Sequence, residues 1–312
     1  MRIWFPGILQ SFLVIALLLA LIGFLSCSSA PPPQKEIFEK RNLASQYMDF
    51  GNRYYQDSDF PQALQLYLLA RNYYSSVDDT EGIVAAYNAI GKTYLQLAQF
   101  EEAYTQFSFA LDLARRSGKT PLILLSLNNL SEAYFTRGEY GKAFEHLEAS
   151  RALVSATAPY RLEDGVFFHN LATALHGLGR QDLAKEALQQ SILINTELKN
   201  YAELASNHYL SALIFLKEQK LTEALQAAQQ ALEYDKLREQ SMGIAQDLNL
   251  LGVLQEQLGN FEEAYSFFVR AYLVFQSLGH RKGMERTWSG LTRVADKMGF
   301  PERAKILPTP RE

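Results

Sequence analysis

The sequence predicts an all-α solenoid of about seven helix–turn–helix units, chiefly because an alanine recurs at intervals of 40 or 41 residues. A small residue precedes each of these alanines by twelve positions, and a turn-forming position precedes it by five. A repeat of this length is typical of solenoids, in which each unit buries its apolar face only against its neighbours. The recurrent alanines are Ala63, Ala103, Ala143, Ala184, Ala224, Ala264 and Ala304.

The first helix of each unit is predicted around the small residue twelve positions before the alanine. Two antiparallel helices reach the short end of the usual interaxial range, roughly 8–10 Å, only where the side chains at their crossing are small. Apolar residues spaced three and four apart, such as Tyr87, Ile90 and Tyr94, indicate one buried helical face. The small residues are Gly51, Gly91, Ser131, Ala172, Ala212, Gly252 and Thr292.

The turn of each unit is predicted five positions before the alanine. Glycine readily adopts the left-handed conformation that ends a helix, and it occupies four of these seven positions. An apolar residue two positions later, as at Phe60 and Phe100, then begins the second helix. The turn positions are Ser58, Ala98, Gly138, Gly179, Gln219, Gly259 and Gly299.

Two segments carry the signature spacing of the tetratricopeptide repeat family. The first has Tyr87, Ile90, Gly91, Tyr94, Ala103, Phe107 and Ala110, and the second has Leu248, Leu251, Gly252, Ala264, Phe268 and Ala271. From Ala44 to about Ile306 the chain resembles this family, in a form with a longer period than the common one of about 34 residues. The resemblance implies a right-handed superhelical solenoid whose first helices line a concave inner wall.

One solenoid is predicted over residues 37–306. Pro159 and the single 41-residue interval predict a longer loop within it, and the shortened, charged last unit is typical of a cap. The predicted units are roughly 44–83, 84–123, 124–164, 165–204, 205–244, 245–284 and 285–306, followed by a tail at 307–312.

Residues 1–26 are predicted to be the signal peptide of a lipoprotein. Arg2 precedes an apolar run, and the only cysteine of the chain, Cys27, follows that run directly. The segment from Gly23 to Cys27 resembles a bacterial lipobox, which implies cleavage before Cys27 and acylation of that residue, including palmitate. An uncleaved transmembrane anchor and an ordinary secretory signal are the open alternatives.

Residues 27–36 are predicted to form a lipidated, proline-rich tether between the membrane and the solenoid. Three consecutive prolines favour an extended spacer, and several acyl chains are enough for stable attachment. Ser28, in place of Asp after the cysteine, resembles the pattern that favours the outer membrane in enteric-type bacteria. We therefore expect a lipid anchor in the bacterial cell envelope, on the periplasmic face of the outer membrane if the source is Gram-negative.

The charge and motif content predict a binding protein without chemistry of its own. The net charge of −4 offers no electrostatic footprint for nucleic acid. The sequence contains no phosphate-binding loop, and its histidines form no metal-binding pair, so we expect no enzymatic activity, metal or cofactor. The histidines are His146, His169, His176, His208 and His280.

Polar residues recur on the predicted inner wall, fifteen positions before the alanines; Asn88, Asn128 and Asn249 are three of them. An asparagine side chain both donates and accepts, so a row of them suits the backbone of an extended peptide. The alternative is that these side chains are merely solvated. The predicted peptide-binding residues are Asn52, Tyr55, Asn88, Lys92, Asn128, Asn129, Phe135, His169, Asn170, Tyr209 and Asn249.

The function expected from these features is that of a membrane-anchored scaffold or adaptor. It would bind a protein or an extended peptide during assembly of an outer-membrane, pilus, secretion or cell-wall complex. The alternative is a sensor that responds to a peptide in the same groove. An envelope enzyme of unrecognised type has the least support.

Overall fold

The computed structural model describes residues 35–155 and 157–307, and these ranges form thirteen α-helices, two short 3₁₀ helices and connecting loops without strands. The predicted all-helical fold is therefore confirmed. The signal peptide, Cys27 and most of the tether and tail lie outside the described residues. The α-helices are α1 Lys35–Gln56, α2 Phe60–Ser75, α3 Thr80–Gln96, α4 Phe100–Ser117, α5 Thr120–Thr136, α6 Tyr140–Glu148, α7 Leu162–Gly177, α8 Gln181–Glu197, α9 Tyr201–Lys217, α10 Leu221–Leu237, α11 Ser241–Gln257, α12 Phe261–Ser277 and α13 Arg281–Lys297.

The helices stack as consecutive antiparallel pairs, each packed on the next along the chain. Odd-numbered helices also contact the next odd-numbered helix, from α1 to α13. No comparable contact joins successive even-numbered helices within the described ranges. The odd-numbered helices therefore lie on the inner side of the curve, which is where neighbouring units come closest. Within these ranges no helix is both long and apolar enough to cross a membrane.

Glycine at the helix crossing makes room for an aromatic ring from the second helix. A Cβ added to Gly91 would lie 2.5 Å from the Phe107 ring, and one added to Gly252 would lie 2.7 Å from the Phe268 ring. Both distances are too short for any other residue, so the glycine and the ring require each other. The recurrent alanines themselves are buried in all seven units.

The predicted turns adopt the left-handed conformation at all seven positions, whether or not glycine is present. The backbone angle φ is +63° at Ser58, +58° at Ala98 and +61° at Gln219, close to the values of the glycines. The structure adds a second set of such residues, between units, which the sequence analysis did not identify. This set consists of Asp78, Gly118, Lys199, Glu239 and Gly279.

The solenoid is irregular between its third and fourth units. Helix α6 ends at Glu148, and α7 begins only at Leu162. The connecting segment is held by Asp164, which is fully buried and accepts hydrogen bonds from the backbone N–H and the guanidinium of Arg161. This segment contains Pro159, where the sequence predicts a longer loop.

The last unit has a shortened second helix, a 3₁₀ turn over Pro301–Ile306. The Tyr265 hydroxyl donates to the Arg303 carbonyl over 3.0 Å, and the Arg303 guanidinium lies 2.8 Å from a Glu262 oxygen. These contacts cover the end of the preceding pair, as expected for a terminal unit.

Candidate functional site

The inner wall formed by the odd-numbered helices is the candidate site, and its polar residues fall into two groups. One group lies in the interior between successive helices, and the other stays accessible from the concave side. The same position along the repeat occurs in both groups. What distinguishes the groups is whether the next unit buries that position.

Asn88 belongs to the interior group and is only 4% exposed. Its amide donates to the Val84 carbonyl and to the Ser126 hydroxyl, each over 3.0 Å. Its oxygen accepts from the Asn129 amide over 2.9 Å. These bonds join α3 to α5. They occupy the donor and acceptor groups of Asn88 that were predicted to bind a peptide.

Asn128 and Asn170 continue the same arrangement from α5 to α7. The Asn170 amide donates to the Asn128 backbone carbonyl over 3.3 Å, and the Asn128 amide donates to the Glu163 carbonyl over 3.2 Å. All of these asparagines are buried, which differs from the exposed positions that the sequence predicted. The reason is the close approach of neighbouring first helices. We call this set the asparagine spine; it consists of Asn88, Asn128, Asn129 and Asn170.

Four predicted residues of the first three units are at least partly accessible. Asn52 is exposed, and its oxygen accepts from the Tyr67 hydroxyl over 2.8 Å. Burial raises the pKa of the half-buried Tyr55, whose hydroxyl also has the Gln96 side chain as a hydrogen-bond partner. The two other partly buried residues are Lys92 and Phe135; the latter stacks on Tyr140.

His169, Tyr209 and Asn249 are the accessible members of the later units, and all three are half-buried. His169 Nδ1 lies 2.8 Å from the Asn207 amide oxygen, so Nδ1 is the protonated nitrogen in that contact. The Asn249 oxygen accepts from the Thr287 hydroxyl over 3.1 Å. Burial raises the pKa of Tyr209, and the nearby carboxyl of Asp247 raises it further.

Charges on several odd-numbered helices act on Glu203 of α9. Burial raises the pKa of Glu203, while the positive charges of His169 and Lys92 oppose that effect and Glu132 adds to it. Lys92 lies on α3, Glu132 on α5 and His169 on α7. The Glu203 carboxyl is therefore influenced by charges from three other first helices.

A cleft of about 540 Å³ lies on the inner wall between α7, α9 and α11. We call it the acidic cleft. It includes two residues that the sequence predicted, His169 and Tyr209, and several that it did not. The unpredicted residues are Thr173, Glu203, Ser206, Asp235, Arg238, Met242, Gln246 and Asp247, among others.

Asp235 and Asp247 form a buried carboxyl pair at the base of this cleft. Burial raises the pKa of Asp247 to about 8, and the neighbouring Asp235 adds to the shift. Burial likewise raises the pKa of Asp235, against the opposing charge of Arg238 at 3.9 Å. Gly243 permits this packing, since any Cβ there would lie 1.8 Å from Asp235 Oδ2.

A signal for Asp247 was present in the sequence. Its position in the repeat carries Ser126, Asn207 and Thr287 in other units, and all of these polar residues are buried. Asp235 carried no such signal, because it comes from a second helix, α10, and not from the inner wall.

The histidines do not assemble into a metal site. His176 Nδ1 lies 2.8 Å from the Gln181 side-chain oxygen, away from the contact that His169 makes with Asn207. Across residues 35–155 and 157–307, no group of three or more His, Cys, Asp or Glu side chains is arranged to hold a metal ion.

Comparison with known families identifies repeats in this chain. Two models described as tetratricopeptide repeat match it, one over residues 82–156 and the other over residues 167–197. The chain therefore contains tetratricopeptide repeats. A search of curated proteins found no significant match.

Solved structures share the fold at low sequence identity. Apo RapI has a TM-score of 0.60 and 15% identity, with 82% of this chain and 90% of that chain covered. The Rap conjugation gene regulator of plasmid pLS20, in complex with the Phr* peptide, has a TM-score of 0.61 and 16% identity, over 81% of this chain and 66% of that one. BtubC from P. vanneervenii has a TM-score of 0.57 and 19% identity, over 66% and 87%.

Proposed function

We propose that this chain is a scaffold that binds a protein or an extended peptide in the interior lined by its odd-numbered helices. The observation that carries the proposal is the cleft of about 540 Å³ between α7, α9 and α11, where polar and charged side chains of these helices face one space. Two proteins of similar fold support it, because one was solved with the Phr* peptide and another, a Rap protein, with Competence and Sporulation Factor.

The ligand contacts in this proposal come from accessible residues, and the asparagine spine supports them from behind. Tyr209, His169 and Asn249 present ring and amide groups toward the interior in the later units. The Tyr55 ring and the Lys92 ammonium group are partly accessible in the first two units. Such a mixture suits an extended chain, because polar groups meet its backbone and rings meet its side chains.

The experiment that tests this proposal starts with chemical crosslinking on native membranes and identification of the crosslinked partner. The purified partner is then titrated against the wild type and against a Tyr209→Ala, Asn249→Ala double variant. We expect about tenfold weaker binding for the double variant. The matched control is Gln226→Ala on α10, an exposed residue outside the inner wall. Equal weakening by both changes would reject the groove.

The location proposed for this scaffold is the bacterial cell envelope, with Cys27 as the lipid-bearing residue. The support is the sequence pattern before that cysteine. Cys27→Ser should abolish incorporation of labelled palmitate and leave an unprocessed precursor. Ser28→Ala is the matched control and should be labelled normally. Labelling of the Cys27→Ser variant would refute the anchor.

A peptide-responsive sensor is the second candidate. The specific observation in its favour is that Glu203 interacts with Lys92 from a distant unit, so a ligand between them would alter the curvature of the solenoid. Small-angle scattering of the full chain, with and without the saturating partner, tests it. A change in the radius of gyration would support a sensor, and an unchanged radius would leave the scaffold.

The proposal includes no catalytic step. His169 and His176 are the clustered titratable candidates, and each has a local hydrogen-bond partner. We expect the His169→Ala, His176→Ala double variant to lose function only to the extent that it loses partner binding. Complete loss of function with partner binding intact would instead indicate chemistry.

A further inference from the structure

We propose that the acidic cleft receives a cationic side chain, the ammonium of Lys or the guanidinium of Arg, from a peptide bound in the interior. This inference rests on the proposed function and specifies which ligand chemistry the site selects. It follows from the charge, the unsatisfied acceptor and the shape of the cleft.

The charge of the cleft is unbalanced. Three carboxyl groups line it, those of Glu203, Asp235 and Asp247. Arg238 is the only Lys or Arg among its lining residues, and its guanidinium stays 3.9 Å from Asp235. Once the Asp235–Asp247 pair releases its proton, the three carboxylates exceed the charge that Arg238 neutralises, and an additional cation compensates the difference.

Asp247 supplies an acceptor that the protein leaves open. The residue is 1% exposed, and its Oδ2 has no partner among the donors of the described residues. Only a proton held between Asp247 and Asp235 satisfies that oxygen. A buried carboxylate is costly unless it is paired, so an ammonium or guanidinium group that enters the cleft replaces this proton favourably.

The walls of the cleft suit the stem of such a side chain. Tyr209, Leu213 and Met242 line it together with the carboxyl groups. Long cationic side chains bury their methylene groups along apolar walls and keep the charge at a polar end. The volume of about 540 Å³ is in the range of peptide and small-ligand sites and exceeds what one ion requires.

Binding of the cation is coupled to release of a proton. The carboxyl pair holds that proton below about pH 8, and the incoming positive charge displaces it to solvent. Affinity should therefore rise between pH 6 and pH 8, by at most about tenfold per pH unit. The titratable and charged groups around the pair are Glu203 and Tyr209 on α9, His169 on α7, Arg238 after α10 and Arg286 on α13.

The test uses a random decapeptide library with acetylated amino termini and amidated carboxyl termini, so that only side chains carry positive charge. The full-length protein in detergent selects from this library at pH 8. We expect wild-type protein to enrich Lys or Arg at one position. Asp247→Asn, which keeps the shape of the pair, should reduce that enrichment at least about tenfold. Gln226→Ala, at an exposed position of α10 outside the cleft, is the matched control and should keep it.

A parallel library with free amino termini identifies the source of the cation. Enrichment only in that library would overturn the side-chain assignment in favour of a terminal amine. Enriched peptides without a cation, or equal enrichment by wild type and Asp247→Asn, would overturn the inference but leave the proposed function intact. If no library yields a retained peptide, both fall. Glu203→Gln is the second variant, and it should give a smaller loss because Glu203 is less deeply buried.

Discussion

The inner wall differs between its first and second halves, although the same repeat builds both. In α3 and α5, the residues fifteen positions before the recurrent alanine are Asn88 and Asn128, and both are buried and bonded to the next unit. In α7, α9 and α11 the same position holds His169, Tyr209 and Asn249, which remain half-buried. The same place in the repeat is therefore buried in α3 and α5 and half-buried in α7, α9 and α11, where we propose that it contacts a ligand.

The polar side chains near this position also differ between the halves. In the first half another asparagine, Asn129, which directly follows Asn128, donates to Asn88. In the second half Asp247, two positions before Asn249 where α5 has Ser126, is paired with Asp235 from a second helix. An amide pair satisfies itself, whereas two carboxyl groups need a proton or a cation between them. The second half is consequently where we propose that a cationic ligand binds.

The largest predicted effect concerns the pH dependence of stability at the carboxyl pair. The pKa of Asp247 is raised to about 8 in the folded protein, so this carboxyl ionises at a lower pH in the unfolded chain. The free energy of unfolding should therefore fall as pH rises from about 4 to 8. Asp247→Asn has no such penalty. Its advantage over wild type should widen by about 3–4 kcal/mol between pH 5 and pH 8. Asp112→Asn, at an exposed ion pair with Arg116, is the control and should show no widening.

The second prediction is a difference in stability loss between Asn88, in the asparagine spine, and Asn249, its accessible counterpart. Asn88→Ala removes three interhelical or intrahelical hydrogen bonds and leaves the Asn129 amide unpaired, so the free energy of unfolding should fall by about 2–3 kcal/mol. Asn249→Ala loses one bond at a half-buried site and should cost about 1 kcal/mol. Urea titration followed by circular dichroism measures both. Equal losses would show that the two halves do not differ.

The smallest predicted effect tests a feature that the two halves share. Ala98 and Gln219 both adopt left-handed φ values, +58° and +61°, which glycine tolerates better. Ala98→Gly in the first half and Gln219→Gly in the second should each stabilise the fold by about 0.5–1 kcal/mol. Thermal unfolding monitors both variants. A gain in one half only would mean that the backbone, as well as the side chains, distinguishes them.

The fold was predictable because its determinants are local and repeated. Ala63 and its counterparts, the left-handed turn at Gly138 and the loop near Pro159 all follow from residue type and spacing. Burial of the asparagine spine was not predictable in the same way. It depends on how closely successive first helices approach each other. An asparagine in the sequence gives no sign of whether its helix face is exposed to solvent or buried. A partner asparagine some 41 residues away, as Asn129 is to Asn88, was the available hint.

The acidic cleft was beyond sequence reasoning for a different reason. Asp235 belongs to α10 and Asp247 to α11, and only the turn at Glu239 brings their carboxyl groups together. The periodic pattern predicted ligand-binding residues on first helices alone. It therefore could not predict a contribution from the end of a second helix. The electrostatic effect of Lys92 on Glu203 was equally unpredictable from the sequence, because it depends on the curvature of several units.

The most direct test of the central claim is site-specific photo-crosslinking in the source cells. A photoreactive amino acid replaces Gln246, at the rim of the acidic cleft, or the control residue Gln226 on α10; both glutamines are exposed. We predict a discrete crosslinked partner from position 246, weakened when Asp247→Asn is added, and none from position 226. Crosslinking to the same partner from position 226 alone would contradict the claim that recognition lies in the second half of the inner wall.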